Sequence, residues 1–107
     1  MTTKEILQKA RDLLAMPGGW GPGGYAFDAG GNIVKPNSQN ACRFCALGAV
    51  YHVMDMEGPG AAGRPEPLKV LYKAYGQDDG LVCGLNDAAD TVEPILALYD
   101  KAIALCD

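Results

Sequence analysis

Positive charge is in short supply. Nine Lys and Arg face thirteen Asp and Glu, a net charge of −4. That balance opposes the phosphate attraction that supplies most nucleic-acid affinity, so a nucleic-acid duplex is not an expected partner. Long apolar runs are missing as well. The amino terminus reads Met1-Thr2-Thr3-Lys4-Glu5-Ile6-Leu7, where charges arrive before any stretch long enough for a signal peptide or a bilayer span. A cytoplasmic protein with no membrane contact is therefore expected. Histidine and tryptophan occur once each, as His52 and Trp20. No GxGxxG, Walker loop or HExxH is present, so neither a cofactor nor a metal is signalled by motif. No internal repeat or low-complexity tract appears.

What is present is an ordinary globular composition, 49% hydrophobic and 21% charged over 107 residues, which fits one domain, 1–107. The 14 glycines and 7 prolines are about one residue in five, against roughly one in eight on average, so much of the chain is loop. In a reducing compartment Cys42, Cys45, Cys83 and Cys106 read as thiols rather than as a disulfide framework.

Thr2 with Glu5 three residues on forms a capping box, and Ile6, Leu7, Ala10, Leu13 and Leu14 recur at helical spacing, predicting a helix over 3–15. Residues 17–24 hold five glycines and two prolines around Trp20, whose indole is expected to dock on the core or rim a pocket. Tyr25-Ala26-Phe27, the turn residues Asp28 to Asn32, and Ile33-Val34 read as a short hairpin. Asn37 or Ser38 then caps a second helix, 38–54, which is apolar nearly all round and so central. Gly48 lies within it, and a glycine there suggests close approach of another backbone or of a ligand. A short third helix follows, with Leu68, Leu71, Tyr72 and Tyr75 on its apolar face, Pro67 in its first turn and Gly76 after its end. Leu81-Val82-Cys83 fits either an extended or a buried stretch. The last helix carries Ile95, Leu98, Tyr99, Ala102, Ile103 and Cys106, with Asp90 or Thr91 as its cap and Pro94 in the first turn. The fold expected is mainly helical α+β: about four helices around the central 38–54 helix, with one small β-hairpin.

The order Gly19-Trp20, Tyr25, Asp28, Gly31, Val34, Cys45-Ala46-Leu47-Gly48-Ala49 and Asn86-Asp87 before a helix resembles a small uncharacterised family. That family is a domain of unknown function from bacterial, especially actinobacterial, and phage genomes. Its motifs are a Gly-Trp near the end of helix one, a Trp-Cys-Ala-x-Gly-Ala helix and a Trp-Asn-Asp entering the last helix. Here Phe44 and Leu85 stand where that pattern has tryptophans, and Pro94 is a further departure. The resemblance nominates Cys45, Asn86 and Asp87 and implies no established activity.

Four chemistries can be weighed on the residues. Cys42-x-x-Cys45 has redox spacing, but it follows a Pro-Asn-Ser turn rather than a strand. Zinc would have to draw on Cys42, Cys45, Cys83, Cys106 and His52, without a second close pair. A Cys45 nucleophile needs Asp87 or His52 as helper, and seven residues along one helix would hold His52 roughly 10 Å away. The favoured expectation is a non-enzymatic binding protein, with Trp20, Tyr25, Cys45, Gly48, Asn86 and Asp87 around a pocket for a small, nucleotide-like ligand. In a phage setting it would sequester a host signal or inhibit a host protein. A pure protein-interaction module is the third function class, and a homodimer is plausible for a loop-rich chain of this size.

Overall fold

The computed structural model describes residues 1–59, 64–76 and 79–106. Among them are five helices, α1 (Thr3–Ala15), α2 (Gly48–Val53), α3 (Glu66–Tyr75), α4 (Asp79–Ala88) and α5 (Glu93–Leu105). One antiparallel pair of short strands, β1 (Ala26–Phe27) and β2 (Arg43–Phe44), completes a mainly helical α+β architecture. None of the described helices is long and apolar enough to cross a membrane.

α1 starts as its capping box dictates. The Thr2 hydroxyl accepts from the Glu5 amide at 3.1 Å, and the Glu5 carboxylate accepts from the Thr2 amide at 3.0 Å. Its buried face, Ile6, Leu7, Ala10 and Leu14, packs on α2 and α5. Arg11 adds a two-pronged ion pair with Asp100 of α5, its Nε 2.6 Å from Oδ1. α3 packs on α5 through Leu68, Leu71, Tyr72 and Ala74. α5 begins with Pro94 in its first turn, as expected, but its N-cap is Val92 and no side chain caps it.

Two boundaries differ from the sequence reading. The central helix is not 38–54. Only Gly48–Val53 is helical, and Arg43–Phe44 is strand. Every residue from Phe44 to Tyr51 is buried, so hydrophobic periodicity carries no information across this segment. The backbone bonds decide instead: Phe44 N–H donates to the Gly19 carbonyl at 2.9 Å, and the Phe44 carbonyl accepts from Gly21 N–H at 3.1 Å. With its amide partners supplied by the Trp20 loop, the segment has no need of helical ones.

The second change concerns the hairpin. The Asp28 to Asn32 turn forms, with the Asp28 carboxylate accepting from the Gly30 and Asn32 amides, both at 2.9 Å. Yet β1 pairs with β2, Ala26 opposite Phe44 and Phe27 opposite Arg43, while Ile33 makes a single bridge to Phe27. The two pairings use opposite edges of β1. Val34 N–H donates to the Ala26 carbonyl at 3.1 Å and Asp28 N–H to the Asn32 carbonyl at 2.9 Å, so the expected hairpin closes, and β2 adds the further strand, whose Phe44, 2% exposed against 71% for Ile33, carries the apolar burial. As a consequence Cys42 and Cys45 do not share a helix face: Cys42 is exposed and Cys45 is buried.

Gly48 opens α2 directly against the Tyr25 backbone. A Cβ at this position would lie 1.7 Å from the Tyr25 carbonyl oxygen, which already accepts from Cys45 N–H at 3.2 Å. The close approach expected of this glycine is thus to backbone. Because a peptide group cannot rotate aside as a side chain can, Gly48→Ala is expected to destabilise by about 3 kcal/mol, read as a fall in Tm of about 12 °C or more. An unchanged melting temperature would show that Tyr25 and α2 do not meet this way.

Candidate functional site

The peptide of Ala46, at the exit from β2, is held on both sides by side chains from distant helices. Asn86 of α4, 2% exposed, is the buried polar side chain among the described residues. Its Oδ1 accepts from Ala46 N–H at 2.9 Å and from Trp20 Nε1 at 2.8 Å. The Ala46 carbonyl in turn accepts from the Tyr99 hydroxyl of α5, a fully buried group. Irregular backbone buried this deeply needs side-chain partners, because neither a ladder nor water supplies them. By the resemblance Asn86 stands at the entry to the last helix. It lies instead in the later half of α4, where its amide can reach across the core.

In front of this clamp opens a cleft of about 210 Å³. Gly23, Gly24 and Tyr25 form one wall, Cys45, Ala46 and Leu47 the floor, and Val82, Cys83, Asn86 and Asp87 of α4 the other wall. Asp87 bridges the mouth, its Oδ1 accepting from Gly23 N–H at 3.1 Å. Tyr25 is steadied edge-on against Tyr51, ring centroids 5.7 Å apart at 88°. No lysine or arginine is among the described lining residues.

Four of the six residues nominated from the sequence, Tyr25, Cys45, Asn86 and Asp87, therefore line one cleft. The other two do not. Trp20 packs against the core with its indole N–H spent on Asn86, and Gly48 faces the Tyr25 backbone, so both support the cleft from behind. Val82 and Cys83 were missed as lining residues. Positions 82, 83, 86 and 87 share one face of a helix, a pattern visible only once 79–88 is assigned as helical.

The Cys45 thiol is chemically quiet. Burial pushes its pKa up to about 11, outweighing the Gly48 N–H that donates to Sγ at 3.3 Å, and the nearby Asp87 charge acts in the same upward direction. His52 is not available to it. Its Nδ1 donates to the Pro36 carbonyl at 2.7 Å, its ring lies 4.7 Å from that of Phe44, and it borders a different depression beside Lys9, Asp12 and Leu13. Among the described residues no three His, Cys, Asp or Glu side chains gather as a metal site. Of the candidate zinc ligands, Cys45 and Cys83 border the same cleft, while Cys42 is exposed, His52 is turned to Pro36, and Cys106 donates to the Ala102 carbonyl at 3.5 Å on α5.

Two outcomes follow. A thiol of pKa about 11 is only about 0.1% thiolate at pH 8, and that fraction rises tenfold per pH unit. Iodoacetamide at pH 8 should therefore label exposed Cys42 in the folded protein and spare Cys45, as read by peptide mass mapping. Equal labelling would contradict the buried placement. Asn86→Ala strands the Trp20 and Ala46 donors and is expected to cost about 3 kcal/mol in denaturant unfolding. A loss below about 0.5 kcal/mol would mean that the bridge carries no weight.

No curated protein and no solved structure matches the chain. The model of the family of unknown function DUF6197 matches residues 1–105, and the chain belongs to that family.

Proposed function

We propose that this protein binds a small molecule non-covalently in the cleft between the Gly23–Tyr25 loop and α4. The observation that carries the reading is the cleft itself, a recess of about 210 Å³ whose floor is fixed by the Asn86 and Tyr99 bonds to Ala46. A preorganised floor lowers the ordering cost of binding. The thiol in it stays protonated near neutral pH, which favours capture over covalent chemistry.

Size and charge narrow the ligand. Drug-sized pockets run to about 300–1,000 Å³, so this one suits one ring or two fused rings rather than a whole nucleotide. The aromatic edge of Tyr25 and the aliphatic surfaces of Leu47 and Val82 suit an apolar or planar body. Asp87 at the mouth is an acceptor, and with no cation in the lining a phosphate would be repelled. A planar heterocycle with N–H donors on its edge, such as a nucleobase, fits these groups, and any phosphates it carried would have to project outward. Capture alone would serve a protein that sequesters a host signal, the use that a phage setting implies.

The test is NMR titration with adenine, cytosine, guanosine and the matching monophosphates. Bases or nucleosides should shift the amides of Gly23, Gly24 and Cys83, with the monophosphates no tighter than their nucleosides. Asp87→Asn should weaken binding by about tenfold or more, the worth of a hydrogen bond to a charged group. No shifts at these amides up to millimolar ligand, together with no ligand-sized mass increment in native mass spectra of protein from cell extract, would overturn the reading.

A further inference from the structure

Asn86 fixes the floor of the cleft with one end of its amide and keeps the other end in reserve. Its Oδ1 is taken by two donors, Ala46 N–H at 2.9 Å and Trp20 Nε1 at 2.8 Å. An amide nitrogen can accept from neither, so the side chain has one possible orientation. Nδ2 then carries two hydrogens with one partner among the described residues, Asp87 Oδ1 at 3.4 Å, against about 2.7–3.2 Å for an ordinary N–H···O bond. Asn86 is 2% exposed and lines the cleft, so bulk water hardly reaches this donor. A buried donor left half satisfied is one that a ligand can complete at little desolvation cost.

The carboxylate beside it offers the opposite function. Asp87 Oδ1 accepts from Gly23 N–H at 3.1 Å as well as from Nδ2, and Oδ2 has no hydrogen bond among the described residues. Consecutive residues of α4 thus set a donor next to an acceptor on one wall of the cleft. We infer that Asn86 and Asp87 together read a cyclic amide, whose ring N–H donates to Asp87 and whose neighbouring carbonyl accepts from Asn86 Nδ2. This rests on the small-molecule reading above and narrows its ligand class. An N–H donor alone does not satisfy the pair; the acceptor has to stand on the adjacent ring position, as it does on the lactam edges of hypoxanthine, guanine and uracil. The other polar groups of the clamp take no part in recognition, because Trp20 Nε1 and the Ala46 N–H are held by Asn86 and the Ala46 carbonyl by Tyr99.

A matched pair of fused-ring probes isolates this edge. Isocarbostyril carries one ring N–H beside one carbonyl, and isocoumarin has the same shape with an oxygen in place of that N–H. In NMR titrations of the full chain, isocarbostyril should shift the backbone amides of Gly23, Gly24 and Cys83 and move one Asn86 side-chain amide proton downfield. Isocoumarin should bind about tenfold more weakly or worse, because its ring oxygen would face the Asp87 carboxylate with no hydrogen between them. Asp87→Asn is expected to fold, since the position is exposed, and it can present a donor there, so the preference should drop to about threefold or less. Equal affinity for the two probes, an Asn86 side-chain resonance unmoved at saturation, or an undiminished preference in Asp87→Asn would overturn the amide reading and leave small-molecule binding in place. No shift with either probe up to millimolar overturns the amide reading as well, and if the bases and nucleosides are also silent the wider reading falls with it.

Discussion

The Ala46 peptide is the point on which the rest of the structure depends. It is buried, belongs to no helix or strand, and joins β2 to α2. Its N–H and C=O must be satisfied by side chains or not at all, and leaving a buried group unpaired costs about 1–3 kcal/mol. Asn86 and Tyr99 supply the two partners from α4 and α5. Because the Asn86 oxygen also takes the Trp20 indole N–H, one side chain fixes the glycine-rich loop, the strand exit and α4 in a single arrangement. A loop with so many glycines loses much entropy on ordering, and the indole anchored on Asn86 is what offsets that cost locally.

The cleft is a by-product of that constraint. Ala46 is pulled towards α4 and α5, while Gly48 lets Tyr25 lie directly on the start of α2. The space left between the loop and α4 is bordered by small residues, Gly23, Gly24 and Ala46, and is bridged by Asp87. Its electrostatics follow from the same composition. Thiols and a carboxylate are brought together with no lysine or arginine among the described lining residues, so the site disfavours anions, and burial above all keeps Cys45 protonated. By contrast, α3 keeps Glu66, Lys69 and Lys73 outside, where hydration makes their charges inexpensive.

Local chemistry was legible wherever the signal was short-range. The Thr2–Glu5 box, the Asp28 to Asn32 turn and Pro94 in the first turn of α5 all appear where spacing put them. The α1, α3 and α5 stripes were equally readable because each helix has one wet face. The signal failed where burial is complete. From Phe44 to Tyr51 no polar position marks the solvent side, so helix and extended chain look alike, and the helix read over 38–54 shrank to Gly48–Val53. Leu81-Val82-Cys83 was ambiguous for the same reason, and with it went the two lining residues Val82 and Cys83.

The residues alone gave the span of α1, the Asp28 to Asn32 turn, the α+β class, the glycine that admits a close contact, and the family resemblance that named Cys45, Asn86 and Asp87. It took the assembled fold to show that Arg43–Phe44 joins Ala26–Phe27 as a second strand, that Trp20 spends its N–H on Asn86 instead of rimming a pocket, and that His52 and Cys45 part company. The reason is physical. Caps, turns and amphipathic stripes are set within a few residues, whereas the partner of a buried amide or indole is set by which distant segment can bury surface against it, and residues 20, 46, 86 and 99 acquire their roles only in one another's presence.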